Sequence, residues 1–182
     1  MKLLIINVPA LSGFDEDLEQ FVHTKACTLQ LEHSLISLSK WEAEWHKPFL
    51  SEDKKTDKES NDYIRCMHIG NNIDNRVFNL LPPSILKQIH DYIINPMTAS
   101  TVVKKKKNTI NNETITSELV YYWMVALTIP FECQKWHLNR LIMLIDICNA
   151  KNQPAEKKSE REIIEQYRNI NEENKKRFNS KG

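Results

Sequence analysis

Residues 117–149, SELVYYWMVALTIPFECQKWHLNRLIMLIDICN, hold two of the four tryptophans and the longest apolar run of the chain. Leu119 to Leu127 is apolar at every position, so a helix there has no polar face to turn to water and is expected to be packed from several directions. Thr128, Ile129 and Pro130 break the run. A proline cannot continue the first helix, but it fits the first turn of a second, where its missing N–H loses no partner. The expectation is a helical hairpin. In its second arm Phe131, Leu138, Leu141, Ile145 and Cys148 recur at helical spacing and form the packed face, while Glu132, Lys135, Asn139 and Asp146 fall on another.

Upstream of the hairpin the periodicity changes twice. Residues 2–8 are rich in Leu, Ile and Val, and after a turn region at Ser12, Gly13 and Asp15 the segment 19–32 alternates. Phe21, His23 and Lys25 alternate with Val22, Thr24 and Ala26, and later Leu29 and Leu31 with Gln30 and Glu32, as in a β-hairpin with one buried face. Such a ribbon is marginal alone and should lie against helices. From Ser34 the pattern turns helical: Leu35, Leu38, Trp41 and Trp45 make one stripe that ends before Pro48.

Thr56 and Glu59 form a capping box, each side chain satisfying a backbone N–H at a helix start, with Tyr63, Ile64 and Met67 as the apolar side of that helix. A short helix from Asp74 carries Val77, Phe78 and Leu81, and Pro83 opens another through Ile85, Ile89, Tyr92 and Ile93, closed by Asn95 and Pro96. Residues 98–112 read as a second, lysine-tipped β-hairpin around Lys104 to Lys107. After Asn149, KNQPAEKK is a linker; Ser159 and Glu162 repeat the capping-box signature ahead of a helix with the stripe Ile163, Ile164, Tyr167 and Ile170. The predicted architecture is α+β and mainly α-helical. An N-terminal β-hairpin packs on a helical domain over 1–150, and 151–182 forms a linker and a charged, protruding C-terminal helix and tail.

At 182 residues one core is sufficient, and the four cysteines, Cys27, Cys66, Cys133 and Cys148, show no CxxC pair, so reduced thiols are expected. Lysine plus arginine total 25 against 24 acids, a net charge of +1 that argues neither for nucleic acid nor for an acidic partner, so any electrostatic function is local and a nucleic-acid partner is not expected. Neither a signal peptide nor a membrane span is expected, because Asn7 and Pro9 cut the first apolar stretch short and Asn139, Arg140 and Asp146 interrupt the later ones.

Three chemistries bear on these patterns. A metal could use Cys133 with His137 on one helix face and Cys66 with His68, but no standard zinc spacing unites the four, so no metal and no other cofactor is expected. Catalysis lacks a nucleophile elbow or phosphate loop in a chain with three glycines, so the chain is expected not to be an enzyme. For DNA, a helix from Pro130 to Cys148 would present Gln134, Lys135, His137, Asn139 and Arg140, with Glu132 and Asp146 opposing phosphate. The tryptophans fit core positions, yet aromatics also anchor interfaces. Trp123, Trp136, His137 and Arg140 are the candidate partner-binding residues, with Trp136 as the first choice.

The runs YYWMVALTIPFECQKWHLNRL (121–141) and CNAKNQP (148–154), with TLQLEHSL (28–35) and KWEAEWHKPFL (40–50), resemble a family of small proteins of tailed bacteriophages, in the class of tail assembly chaperones. The resemblance covers most of the chain and carries no catalytic motif. It implies a morphogenesis factor in the host cell cytoplasm, absent from the mature virion, whose partners are the phage tape measure protein and the tail tube protein. A homo-oligomer stays open. The alternatives are a virion structural protein (connector or tail completion) and a DNA-binding regulator.

Overall fold

The computed structural model describes residues 3–15, 19–70, 72–100 and 114–152, together with 168 and 170. The chain divides into two compact units, residues 1–149 and 150–182. The fold is α+β and mainly helical, as expected from the sequence.

Four strands, β1 (Leu4–Val8), β2 (Leu11–Asp15), β3 (Gln20–Thr24) and β4 (Cys27–Leu31), make two antiparallel ladders, β1 with β4 and β2 with β3. Val8 pairs with Cys27 and Leu11 with Thr24, so the register continues unchanged across the break. The two ladders are one long ribbon interrupted where Pro9 has no N–H to donate. The sequence reading placed a turn at Ser12, Gly13 and Asp15; these residues are strand β2 instead. Gly13 packs closely there: a Cβ would stand 2.8 Å from the Leu80 side chain, which would have to shift to admit one.

Helix α1 (Leu35–Trp45) starts at Ser34, whose hydroxyl accepts from Ser37 N while Ser37 bonds back to Ser34 N. It ends at His46 in the left-handed region, two residues before Pro48. Helix α2 (Asp57–Met67) has the expected capping box, with Glu59 accepting from Thr56 N at 2.7 Å. Lys47 also bonds Glu59, and these donors hold its carboxyl down at about 2. Then come α3 (Arg76–Asn79), α4 (Pro83–Ile94, with proline at its start), α5 (Ser117–Ala126), a 3-10 helix (Phe131–Lys135) and α6 (Leu138–Asn152). The lysine-tipped hairpin lies, apart from its first residues, outside the described residues, as does the Ser159 and Glu162 cap; of the C-terminal helix only Arg168 and Ile170 are described, both helical.

The core joins β1 and β4 to the helices through Ile6, Val8, Leu29 and Leu31 from the ribbon and Leu35, Leu38, Trp41, Tyr63, Met67, Ile89, Met124, Leu138 and Leu141 from the helices. The far edge of β4 is covered: Ile69 N donates to Gln30 O and Glu32 N to Met67 O, which shields an otherwise unpaired strand end. Among the described residues no helix is long and apolar enough to cross a membrane.

Candidate functional site

The hairpin of residues 117–149 differs from its expected form in the second arm. Helix α5 is capped by Thr116, and its first N–H, from Ser117, is accepted by the buried carboxylate of Glu42 at 2.7 Å. Glu42 accepts Phe49 N with its other oxygen, tying α1, the following loop and α5 together. After α5 the chain turns through Thr128 at φ 54°, a strained conformation for a β-branched residue. A 3-10 helix follows Pro130, then Trp136 is extended, and the α-helix begins only at Leu138. The reason lies far back in the chain: His137 forms a β-bridge with Ser34, and Leu138 N donates to His33 O at 2.8 Å. The backbone of Trp136 and His137 is held as a strand fragment rather than a helical turn.

That junction carries a buried aromatic group. The rings of His33 and His137 lie edge to face at 4.9 Å, Tyr63 OH bonds His33 Nδ1 at 2.7 Å, and His137 Nε2–H donates to Tyr92 O at 3.0 Å. His137 Nδ1 is buried without a partner. Burial, and secondarily His137, push the His33 pKa down to about 3, and burial lowers that of His137 against the opposing Tyr92 bond. Both rings are therefore neutral at pH 7 and act as core.

Of the four candidate partner-binding residues, Trp136 and Arg140 are brought together, with the guanidinium 4.3 Å from the ring centroid. Trp136 is half-buried and Arg140 exposed. Trp123 is half-buried against the core, and no ring contact joins it to Trp136. His137 is a correction: at 5% exposure it faces Tyr92 and His33 and has no surface to offer a partner.

The recognition-helix arrangement considered for DNA is also absent in this region. Gln134 accepts from Tyr121 OH, Asn139 donates to Ile93 O and Asn95 O, and His137 is inside, so three of the five residues are committed to the fold, while Lys135 and Arg140 are exposed. The Cys133 and His137 pair is not one helical turn apart, since the first lies in the 3-10 helix and the second in the extended segment. Among the described residues, the one set of three ligand-type atoms is Glu44, Asp62 and Cys66, and Arg65 bonds both carboxylates, occupying the electrostatic role of a cation.

Several large apolar side chains of this stretch lie in solvent, which the apolar pattern alone does not show. Tyr122 and Val125, three residues apart on α5, share a face that is 65% and 61% exposed, and Phe131 is 53% exposed beside Tyr121, with ring centroids 6.5 Å apart. Phe131 had been expected on the packed side. The available signal was the surplus itself, more apolar positions on α5 than a single neighbouring face can cover. The chain matches no protein-family model, no curated protein and no solved structure.

Proposed function

We propose that the chain is a tail assembly chaperone of a tailed bacteriophage, a binding protein that keeps the tape measure protein soluble until tail tube subunits polymerise around it. The observation that supports this reading is the solvent-facing apolar strip of α5, Tyr122 and Val125, lying within the stretch that carries the family resemblance. Exposed aromatic and aliphatic side chains grouped on one element mark interaction surfaces more often than they mark catalysis. A client whose long helices expose apolar stripes would cover such a strip, and the complex would act in the host cytoplasm.

The test is co-expression with the tape measure protein of the same phage, comparing the native chain with a Tyr122→Ser/Val125→Ser double variant. The native chain is expected to raise soluble client severalfold and to co-elute with it. The double variant is expected to keep its melting temperature and lose both effects. A client that stays insoluble beside the native chain, with the chain instead found in purified particles, would replace the chaperone by a connector or tail completion protein.

A further inference from the structure

Beside the start of α1 lies a cavity of about 250 Å³. At ~30 Å³ for each water of liquid volume, that is room for about eight waters, or for one molecule of amino-acid size. Its lining comes from the residue after β4, the first turns of α1, the end of α2 with Ile69, and the 3-10 helix. Ile36, Met67 and Ile69 give it apolar walls.

Its charged groups are of both signs. Glu32 lines the cavity and is 8% exposed, and among the described residues no hydrogen bond or ion pair meets its carboxylate. The backbone of the same residue is fixed, its N–H donating to Met67 O and its C=O accepting from Ser37 Oγ. A carboxylate so far withdrawn from water is costly unless a cation or donor meets it. Lys40 and Lys135 line the cavity from α1 and the 3-10 helix, both exposed, and among the described residues neither forms an ion pair, with Glu32 or with any other acid. Ile36 is the second residue of α1, so its N–H has no acceptor within the helix, and no acidic side chain in the first turn offsets the positive end of the helix dipole.

From this we infer that the cavity is a binding site for a small aliphatic amino acid. The ammonium group of the ligand meets Glu32, and its carboxylate meets Lys40, Lys135 and the start of α1, as anions do at helix N-termini. Its hydrocarbon part lies on Ile36, Met67 and Ile69. A simple anion would leave the buried carboxylate unmet and add a like charge beside it. A simple cation would satisfy Glu32 but face two lysines. A molecule carrying both charges is the class that satisfies every group of the lining. The inference does not rest on the chaperone reading.

The experiment is an NMR titration of the amide resonances of the full chain. The probes are leucine and its isomer ε-aminocaproate, which hold the two charges close together and far apart. Isocaproate and isoamylamine, leucine without its ammonium and without its carboxylate, are the single-charge controls. At least one isomer is expected to shift amides of residues 32–37 and 66–69 saturably, with a Kd below about 1 mM and at least about tenfold tighter than either control. Glu32→Gln should reduce that isomer's affinity to the level of isocaproate, and Lys40→Gln/Lys135→Gln to the level of isoamylamine. Neither change removes a side-chain hydrogen bond among the described residues, and the spectrum without ligand reports whether each variant is folded. Should Glu32→Gln fail to fold, the lysine pair and the two controls decide. The inference is overturned if no probe shifts these amides at ~10 mM, if a control binds as tightly as both isomers, or if binding survives the lysine pair unchanged. Failure of the client co-expression leaves each of these outcomes readable, because no client is used.

Discussion

Helices α1 and α5 are almost equal in length, 11 and 10 residues, and touch one another, yet they divide their side chains differently. In α1 the apolar stripe Leu35, Leu38 and Trp41 is fully buried and Lys40 and Glu44 face water. In α5, apolar all round, only Val120 and Met124 of the large side chains are buried, while Tyr122 and Val125 remain in solvent. The apolar content of a helix states how much surface it could bury; the neighbours it meets set how much it does. The excess on α5 is what makes it a candidate for binding while α1 is framework.

The sharpest way to break this contrast is at Trp41, which is 0% exposed, packs on Trp45 and Phe49 and donates to Glu59 O. Trp41→Ala is expected to cost about 3–5 kcal/mol in urea denaturation, and Val125→Ser no more than about 0.5 kcal/mol. Comparable losses at both positions would mean that α5 is as much framework as α1.

A smaller effect is expected where the two helices are joined. Glu42→Gln replaces one carboxylate oxygen by an NH2 group that cannot accept from Ser117 N or Phe49 N, and is expected to cost about 2 kcal/mol. Hydrogen exchange of the Ser117 and Phe49 amides would accelerate in the same variant. An unchanged Ser117 amide would show that α5 holds its place without α1.

The least steep effect is in pH. His33 and His137 are neutral when folded, whereas in the unfolded chain histidine takes up a proton near pH ~6.5. Unfolding below that pH binds protons, so the contribution of both histidines is complete above ~6.5 and falls with pH below it, that of His33 being lost as pH approaches about 3. For His33 the slope approaches about 1.4 kcal/mol per pH unit, and His137 adds to it in the same direction. Denaturation at pH 7, 6 and 5 would measure it in a window above the carboxylates' unfolded range of about 4. A flat profile there would mean that the rings are hydrated and that the joint between His33 and His137 is loose.

Legibility followed the range of the interactions involved. The Thr56 and Glu59 box and the proline that opens α4 are set within a few residues, and both stood where the spacing put them. The alternation of the second segment holds at Val22, Thr24, Leu29 and Leu31, which face inward, and fails at Ala26, which is exposed between β3 and β4. The α1 cap was less legible because Ser37, rather than Glu or Gln, bonds back to Ser34 N. At the candidate site, Trp136 beside Arg140 could be placed on a surface from the chain alone. His137 could not, since its neighbours Tyr92, Tyr63 and His33 come from three other segments.

By itself the sequence determined the α+β class, the helical stripes and most of the caps, because propensity, period and capping act over one or two turns. Only the tertiary structure decided that residues 136–137 are extended, that His137 is core, and that Tyr122, Val125 and Phe131 stay outside. Backbone pairing with His33 and Ser34 outweighs the local preference for a helical turn, and burial depends on what lies opposite a side chain rather than on its own character.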